Sequence, residues 1–450
     1  MHLNDTIAAI ATAPGPAGVC VVRISGQDAL NVADRLIPLT SHKPSRRAPG
    51  TFFYTDIIHP GTNEKIDDAL ILVFHAPRSF TGEEVVEIQG HGGTLPSKRL
   101  LEAVLAAGAR LAEPGEFSKR AFLNGRLDLT QAEAICDYIQ ATSERMAHAA
   151  RAQLDGELGS RLTALYEALL THCAEVEHQL DFDEGELSET FLQATTQALQ
   201  QTMIPLAQMI QSWNTNGHVL RDGALVVLSG KPNAGKSSLL NALLGRKRAI
   251  VHHVPGTTRD VIEESLLVEG IPLRLADTAG LRIATDDVEQ EGIARTHDLM
   301  KQADINLHLV DAVTATEEEL AALPQDARSI SVLTKSDLLD TTENIQSRDE
   351  RICVSAQTGA GLDLLARAIL KKLGIVNASA GIEIINQRHA QELRTAYTAA
   401  EQAHALLLQR NLVIAANELR VAAEALGRIV GRVYSDDLLE SIFSRFCVGK

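Results

Sequence analysis

The chain has 450 residues, a length that predicts about three domains at roughly 150 residues each. Hydrophobic residues make up 45% of the chain and aromatic residues only 4%, so we expect cores built mainly from aliphatic side chains. The formal net charge of −16 argues against a broad nucleic-acid-binding surface, although it is compatible with a local basic patch. No apolar run approaches the ~20 residues that a membrane-spanning helix needs, so we predict no membrane segment.

The five cysteines are scattered along the chain and form no C-x-x-C pair. This spacing argues against a zinc site and against a disulfide framework, and it fits a reducing compartment. The N-terminal segment has no basic n-region, so no signal peptide is expected. We therefore predict a cytoplasmic protein.

Residues 1 to about 120 have the pattern of a mixed α/β domain. Alternating or apolar runs predict strands at 19–24, 69–74 and 85–88. A helix is predicted over about 96–107. His91 lies between glycines in a predicted turn, where a structural or solvated histidine is favoured over a ligand.

From about residue 129 the strand signals end and apolar residues recur at helical spacing. The pattern predicts two long helices across 129–182, broken near Asp155-Gly156, and a further helix over about 189–211. Residues 181–186 form an acidic segment that we interpret as a solvated connector, with a cation site as the alternative.

Residues 217–375 alternate strands and helices, which is typical of a parallel sheet with crossover helices, and helical character returns over 383–450. Because this α/β unit interrupts two helical segments, we expect the two segments to pack together as one discontinuous helical domain. The predicted fold class is an α+β multidomain chain with an N-terminal α/β domain, a discontinuous helical domain and an inserted α/β domain. The predicted boundaries are 1–119, 120–215, 216–377 and 378–450.

A phosphate-binding loop follows the short apolar run at 225–228. Residues 230–237 fit G-x-x-x-x-G-K-[ST] in full, and an amphipathic helix is predicted from Ser238. The glycines let backbone N–H groups surround a phosphate at a helix N-terminus. Lys236 can then reach the β- and γ-phosphates, and the Ser237 hydroxyl can bind Mg²⁺. The alternative, a glycine-rich turn with an unrelated lysine, does not explain the full spacing or the flanking elements.

Three further motifs follow in the order that GTPases use, which indicates a Ras-like P-loop GTPase domain. The first is GTTRD at 256–260, where Thr258 is a candidate Mg²⁺ ligand that responds to the γ-phosphate. The second is DTAG at 277–280, where Asp277 can hold Mg²⁺ through water and the Gly280 N–H can bind the γ-phosphate. The third is the guanine-reading position 334–337, with a supporting Ser-Ala pair at 355–356.

The guanine-reading motif departs from N-K-x-D because Thr334 stands where an asparagine is usual. Threonine has no side-chain amide, so guanine affinity is expected to be weaker. The Asp337 carboxylate suits the guanine N1–H and exocyclic amine, which adenine lacks, so a preference for guanine should survive. A preference for ATP is the competing interpretation.

The residue after DTAG is Leu281, where Ras-type enzymes carry a glutamine that orients the attacking water. Leucine cannot do this, so the protein is either a slow switch or uses another residue. The acidic segment 281–292 could supply one, with a solvated switch loop as the alternative. No arginine finger is evident, and a cation held by Asn233 could neutralise charge in the transition state instead.

The sequence resembles the MnmE (TrmE) family of bacterial tRNA modification GTPases from end to end. The segments that carry the resemblance are NDTIA at 4–8, VVRISG at 21–26, FTGEEVVEIQGHGG at 80–93, PGEFSKRAFLNGRLDL at 114–129, GKPNAGKSSLLN at 230–241, PGTTRD at 255–260, DTAGLR at 277–282 and SDDLLESIFSRFCVGK at 435–450. A GTPase chain that ends in F-C-x-G-K is typical of this family.

The resemblance implies a homodimer formed through the N-terminal domain, which would bind 5-formyl- or methylene-tetrahydrofolate. It also implies a heterotetramer with an FAD-binding subunit of the MnmG type. Together these would install an aminomethyl or carboxymethylaminomethyl group at C5 of the wobble uridine of certain tRNAs. The folate contacts carried over are Arg23, Glu87 and Lys450, and Arg126 stands at a family lysine, which keeps the charge but changes its geometry.

The resemblance also implies how GTP is bound and hydrolysed. It assigns K⁺ to Asn233 with His252, Val254 and Thr257, Mg²⁺ to Ser237 and Thr258, and water orientation to the catalytic acid Glu289. The nucleotide contacts it implies are Asn233, Ala234, Gly235, Lys236, Ser237, Ser238, Val254, Thr257, Thr258, Asp277, Thr278, Ala279, Gly280, Thr334, Lys335, Asp337, Ser355 and Ala356.

Two other functions compete with this interpretation. A regulatory GTPase in ribosome assembly would be expected to carry an RNA-binding appendage, and no G-x-x-G loop in a strand–helix setting is evident. A folate-binding scaffold with a vestigial GTPase is disfavoured by the intact P-loop lysine and both Mg²⁺ ligands. For Cys447, a nucleophilic role and a small buried residue that orders the tail both remain open.

Overall fold

The computed structural model describes residues 5–39, 43–182, 188–246, 263–277, 298–324, 326–339, 351–374 and 384–449. The chain divides into two compact units. The first comprises 1–136, 154–163 and 427–450, and the second comprises 137–153 and 164–426. Within the described residues, no helix combines the length and the apolar character needed to cross a bilayer.

A six-stranded sheet forms the centre of the first unit. Its strands are β1 (Ile7–Ile10), β2 (Val19–Ser25), β3 (Thr51–Ile58), β4 (Lys65–Phe74), β5 (Val85–His91) and β6 (Arg110–Leu111), in the order β3-β4-β5-β2-β1-β6. All neighbours are antiparallel except β1 and β6. Helices α1 (Ala29–Arg35) and α2 (Thr94–Ala106) pack on one face, where alternate strand residues such as Val22, Ile71 and Ile88 form the core.

The predicted strands and the helix of this region are present, but His91 does not lie in a turn. It is the last residue of β5 and pairs with Val19 of β2. Its Nδ1 lies 2.6 Å from Asp67 Oδ1, and its backbone N–H donates to the other carboxylate oxygen of Asp67 at 2.8 Å. The hydrogen bond that His91 donates to the Asp67 carboxylate raises the pKa of His91, and the ring itself is exposed. His91 is therefore a strand-end histidine held by a carboxylate.

Helices follow the first sheet, and there are more of them than the sequence predicts. They are α3 (Glu116–Leu123), α4 (Leu129–Gln140), α5 (Glu144–Leu154), α6 (Glu157–Phe182), α7 (Glu189–Ser212) and α8 (His218–Asp222), with a π-helical turn at Trp213–Gly217. The break near Asp155-Gly156 is confirmed, but the first of the two predicted long helices is two helices. The Ser143 hydroxyl accepts a hydrogen bond from Met146 N at 3.1 Å and so caps a new helix start.

The second sheet is parallel apart from one edge pair. It contains β7 (Ala224–Gly230), β8 (Glu263–Val268), β9 (Ile271–Asp277), β10 (Ile305–Asp311), β11 (Ser329–Thr334) and β12 (Ile352–Cys353), in the order β12-β11-β10-β7-β9-β8. Helices α9 (Lys236–Arg246), α10 (Glu317–Ala321) and α11 (Leu362–Lys372) belong to the same region. Helix α9 begins two residues before the predicted Ser238. The side chains of Val226, Leu228 and Leu307 form the centre of the core.

Three helices close the chain: α12 (Gln387–Leu408), α13 (Leu412–Val430) and α14 (Asp436–Phe443). Helix α12 packs along α7. The Cys173 thiol of α6 lies 3.5 Å from the Ala416 carbonyl of α13, and Glu177 pairs with Arg420 one helical turn further along both helices. Helices from before and after the parallel sheet therefore pack together.

A buried charge cluster joins the start of β1 to α3 in the first unit. Arg120 is 2% exposed and donates to Glu116 at 3.0 Å, to the Asp5 backbone carbonyl at 2.8 Å and to Glu83 at 3.3 Å. Burial raises the pKa of Glu116, but hydrogen bonds from Arg110, the Glu113 N–H and Arg120 outweigh it, so the pKa lies below its usual value. The cluster is therefore charged, and losing one partner would leave an uncompensated buried charge. Glu116 and Arg120 lie in the 114–129 segment that carries the family resemblance, so the cluster gives part of that motif a structural role.

The π-helical turn that leads into the parallel sheet has no room for a side chain at Gly217. A Cβ there would lie 2.0 Å from the Ile384 carbonyl oxygen and 2.5 Å from the Trp213 ring. Both neighbours are constrained, because one is backbone and the other is a buried indole. The approach of residue 384 to this turn thus depends on glycine.

We predict that Gly217→Ala lowers the melting temperature of the full chain by about 2 to 10 °C, since overpacking typically costs about 1 to 3 kcal/mol. The matched control is Gly245→Ala in α9, where an added Cβ would have no heavy atom within 4 Å. That change should be neutral or slightly stabilising because alanine favours a helix. Circular dichroism or calorimetric melts measure both, and equal melting temperatures for the two variants would contradict the packing described.

Candidate nucleotide-binding site

The loop between β7 and α9 lies where the strand order of the parallel sheet reverses direction. Strand β7 is central, with β10 on one side and β9 on the other. The chain continues to β8 and β9 on one side of β7 and then crosses to β10 on the other side. Ligands of open α/β sheets bind outside the carboxyl ends of strands at such a reversal. The predicted phosphate-binding loop therefore lies at the expected binding edge.

Backbone geometry in this loop depends on small or permissive residues. Gly230 has φ +149, and a Cβ on it would lie 2.4 Å from the Leu309 carbonyl oxygen of β10. Gly235 has φ +85, and Asn233 adopts φ 65, a left-handed conformation that asparagine tolerates better than most residues. These conformations turn the loop tightly between the strand and the helix.

Lys236 is the first residue of α9 and is 8% exposed. Its Nζ donates to the Gly230 carbonyl at 2.8 Å and to the Lys231 carbonyl at 2.9 Å. The ammonium group is thus held directly at the loop, where it can contact a phosphate. Ser237 and Ser238 follow in the first turn and are exposed. The N-terminal turn of a helix presents free N–H groups to an anion, as phosphate binding requires.

Strand β11 delivers the base-reading segment to the same edge of the sheet. Lys335 adopts φ 57, and its Nζ lies 2.7 Å from Asp311 Oδ2 at the end of β10. Burial raises the pKa of Asp311, but the hydrogen bond from Lys335 outweighs it and the pKa lies below its usual value. Asp337 lies in the short 3₁₀ turn Ser336–Leu338, and it is exposed. A carboxylate acceptor is therefore available next to the loop. The sequence alone did not indicate Asp311, because only the register between β10 and β11 places this residue beside Lys335.

The Ser355–Ala356 segment lies against the same turn. The Ser336 N–H donates to the Val354 carbonyl at 3.2 Å, and the Val354 N–H donates to the Leu333 carbonyl at 2.8 Å. Ser355 is fully buried, and its Oγ accepts from the Thr358 N–H at 3.1 Å. These bonds fix the backbone around residue 356 beside Asp337.

Thr334 connects the base-reading segment to the phosphate-binding loop. It is 4% exposed, and its Oγ1 donates toward the Ala234 carbonyl at 2.8 Å. The predicted nucleotide contacts that the structure brings together are Asn233, Ala234, Gly235, Lys236, Ser237, Ser238, Thr334, Lys335, Asp337, Ser355 and Ala356. Sequence reasoning identified the substitution at 334 but not this bond.

A second group of predicted residues lies in the first unit. Arg23 Nε donates to Glu87 Oε1 at 2.9 Å across the β2–β5 pair. The Arg23 guanidinium also lies over the rings of Phe80 and Phe117, at 5.1 and 5.7 Å from their centroids. Arg126 Nε donates to the carbonyl of Ser79, the residue before Phe80, at 3.2 Å. The segment at 79–80 thus brings the two arginines and the glutamate into one region.

Two family models match this chain, and between them they cover most of its length. The model described as GTP-binding protein TrmE N-terminus matches residues 6–126, and the model described as MnmE helical domain matches residues 129–447. The second match alone spans more than half of the 450 residues. The chain belongs to the MnmE family.

Curated relatives agree with this assignment. A protein of Dichelobacter nodosus named tRNA modification GTPase MnmE is 44% identical, with 100% of each chain covered. A protein of Symbiobacterium thermophilum with the same name is 43% identical, with 99% of this chain and 100% of its own covered. A solved G domain of the T. maritima FeoB iron transporter is 31% identical over 33% of this chain and 98% of its own, with a TM-score of 0.24. The family assignment rests on the models and the curated relatives.

Several residues expected from the resemblance to the MnmE family lie outside the described residues. They are His252, Val254, Thr257, Thr258, Thr278, Ala279, Gly280, Glu289 and Lys450, together with the acidic segment at 183–186. For Asp277 the backbone is described and ends β9, level with Leu228 of β7. Cys447 is exposed, so the interpretation as a small buried residue is wrong.

A half-buried histidine lies beneath the phosphate-binding loop. His308 of β10 places Nδ1 3.0 Å from Ser229 Oγ and Nε2 3.2 Å from Ser329 Oγ, so it bridges β7 and β11. Burial lowers the pKa of His308 below its ordinary value of 6.5. As the pH falls below about 6.5, the unfolded chain therefore takes up this proton before the folded one does. His308 should therefore leave the free energy of unfolding unchanged above about pH 6.5 and should lower it below that pH.

We predict that His308→Gln reduces the loss of thermal stability between pH 7 and pH 5.5. His218 beside Asp304 has a raised pKa and acts in the opposite direction, but it is present in both proteins and cancels in the comparison. Melting curves at both pH values measure the difference. The control is His148→Gln, the same change at an exposed position, which should keep the parental pH dependence. If His308→Gln kept the parental pH dependence, the buried neutral imidazole of His308 would not be a source of the stability lost at low pH.

Proposed function

We propose that this chain hydrolyses GTP at the β7–α9 loop as a subunit of a tRNA modification enzyme. The observation that carries the proposal is the position of Lys236 and Asp337 at one edge of a parallel sheet, in a chain of the MnmE family. A P-loop lysine alone indicates a phosphate site, and the adjacent carboxylate adds a partner for guanine. The Thr334–Ala234 hydrogen bond supports a shared site because it joins the two segments.

Mg²⁺ is the metal that fits the phosphate side of this site. The Ser237 hydroxyl is exposed in the first turn of α9, and Asp277 ends the strand next to β7. Hydroxyl and carboxylate oxygens are ligands that Mg²⁺ prefers. We assign Ser237 and Thr258 to the metal directly and Asp277 through water, where the ion would stabilise negative charge on the β- and γ-phosphates.

We assign a K⁺ site to Asn233 together with His252, Val254 and Thr257. The exposed, left-handed position of Asn233 at the tip of the loop supports this, since its amide oxygen can face a cation from there. K⁺ would supply the positive charge that an arginine finger supplies in other GTPases. Glu289 would then orient the attacking water, because Leu281 cannot do so.

For the first unit we propose a folate-type one-carbon carrier at Arg23, Glu87, Arg126 and Lys450. The Arg23–Glu87 pair beside two aromatic rings supports this, because a pterin offers both hydrogen-bonding edges and an aromatic face. A Cβ on Gly449 would lie 2.4 Å from the Ile10 carbonyl oxygen, so the C-terminal tail runs close beside β1. Lys450 follows Gly449 directly, and β1 neighbours the strand that carries Arg23.

The remaining assignments follow the family. We propose a homodimer through residues 1–119, with a helical domain built from 120–215 and 378–450 and a G domain at 216–377. With an FAD-binding MnmG-type subunit, this dimer would form a heterotetramer that modifies C5 of the wobble uridine in a reducing cytoplasm. GTP hydrolysis would act as an activation step for that chemistry.

We predict that GTP turnover rises by at least about tenfold when K⁺ replaces Na⁺ at equal ionic strength, since one fixed charge in a desolvated site is worth about 1.4 kcal/mol or more. Asn233→Ala should abolish the difference while the variant still binds GDP. Phosphate release in the two salts measures the effect. Equal rates for the parental protein in both salts would count against the cation role.

We predict that Glu289→Ala leaves GTP affinity within about threefold but lowers turnover by roughly 10² or more, the usual contribution of a water-orienting acid. In cells that lack the native gene, this variant should also fail to restore the modified wobble nucleoside, measured by mass spectrometry of tRNA digests. Glu291→Ala removes the same charge two residues away and serves as the control. If affinity and rate fell together, Glu289 would have a binding role instead.

A further inference from the structure

Thr334 ends β11 at the point where the phosphate-binding loop passes the sheet. It pairs with Asp311 of β10, and its backbone carbonyl accepts from the Ala312 N–H at 3.0 Å. Its side chain is buried, and its Cβ lies 3.5 Å from the position that a Cβ on Gly235 would take. The side chain therefore contacts the loop directly and has little freedom to turn elsewhere.

The hydroxyl of Thr334 is committed to the loop. Its Oγ1 lies 2.8 Å from the Ala234 carbonyl oxygen and 3.2 Å from the Val310 carbonyl oxygen. A hydroxyl carries one proton, and both carbonyl oxygens can only accept. The single donor of this side chain is thus used within the protein, and none remains for a nucleotide base.

An asparagine at this position would behave differently. Its amide group carries two N–H donors, so one could hold the Ala234 carbonyl while the other remained available to a base. Of the next residues, Lys335 directs its ammonium toward Asp311, 2.7 Å away, and Asp337 offers an acceptor. The described part of this segment can therefore read the donor edge of guanine through Asp337.

We propose that Thr334 is a positioning residue for the phosphate-binding loop, and that guanine is selected through its N1–H and 2-amino group by Asp337, without a hydrogen bond to N7 from position 334. This inference rests on the proposed GTPase function. It separates two tasks that one asparagine could combine: holding the Ala234 carbonyl and contacting the base.

The test compares the affinities of the full chain for four nucleotides: GDP, 7-deaza-GDP, IDP and ADP. In 7-deaza-GDP a carbon replaces N7, and IDP lacks the 2-amino group. The parental protein should bind GDP and 7-deaza-GDP within about twofold of each other. It should bind IDP roughly 10- to 100-fold more weakly, because a hydrogen bond to a charged carboxylate is lost. Isothermal titration calorimetry or competition with a fluorescent GDP measures all four.

Three substitutions then separate the two tasks. Thr334→Asn should create a preference for GDP over 7-deaza-GDP of roughly 3- to 10-fold, the usual value of one neutral hydrogen bond. Thr334→Val keeps the volume but removes the hydroxyl, and it should weaken GDP and 7-deaza-GDP equally, by roughly 5- to 100-fold, because the Ala234 carbonyl loses its partner. Thr334→Ser keeps the hydroxyl and should leave the GDP to 7-deaza-GDP ratio of the parental protein unchanged.

A parental preference for GDP over 7-deaza-GDP of fivefold or more that disappears in Thr334→Val would overturn the inference, since it would place an N7 donor at Thr334. Unchanged GDP affinity in folded Thr334→Val would refute the role in holding the loop. If the valine variant does not fold, the parental protein still tests the inference, because a preference for GDP over 7-deaza-GDP of fivefold or more that is unchanged in Thr334→Ser would contradict the absence of an N7 contact. Equal or tighter binding of ADP than of GDP would instead overturn the proposed GTPase function.

Discussion

The close approach of β7 and β10 at Gly230 is the constraint on which the nucleotide-binding site depends. A side chain there would collide with the Leu309 carbonyl, so only glycine lets the strand turn into the loop at that point. Once the turn is made, Lys236 can fold back onto the Gly230 and Lys231 carbonyls, and α9 can direct its free N–H groups toward a phosphate. The loop is then fixed from the side by the buried Thr334 hydroxyl. The Leu309 carbonyl oxygen thus restricts residue 230 to glycine, and the Ala234 carbonyl oxygen anchors the loop that leads to Lys236.

Tertiary packing also brings together helices that lie on opposite sides of the parallel sheet in the sequence. Helices α6 and α7 precede the parallel sheet, and α12 and α13 follow it, yet they pack on each other through contacts such as Cys173 with Ala416. The connection into the sheet is tight, because the turn at Gly217 lies against Ile384 from the returning chain. Both ends of the inserted unit therefore meet at one place.

A buried charge cluster stabilises the first unit, whereas the nucleotide-binding site of the second unit depends on backbone geometry. Arg120 is buried with Asp5, Glu83 and Glu116, and the cluster ties the N-terminal strand to α3 and to the segment before β5. Such a cluster is stable only when every partner is present, since burying an unpaired charge is costly. It lies next to the aromatic residues that surround Arg23. The region proposed for a folate is therefore held by a network that is itself sensitive to single substitutions.

The sequence alone determined the order of elements, the P-loop and the alternation of helical and α/β segments, because these follow from local spacing and from which residues permit a phosphate-binding turn. It also showed Thr334 to be a departure from the guanine-reading motif of GTPases, whereas Arg23 and Glu87 were expected as folate contacts only through the family resemblance. Only the tertiary structure decided what those residues contact: that the Thr334 hydroxyl is used by Ala234, that Asp311 neutralises Lys335, and that His91 ends a strand beside Asp67. The break at Ser143 and the Arg120 cluster were also beyond sequence reasoning. The reason is the same in each case, since hydrogen bonds and ion pairs between residues distant in sequence depend on strand register and helix packing, which no local pattern encodes.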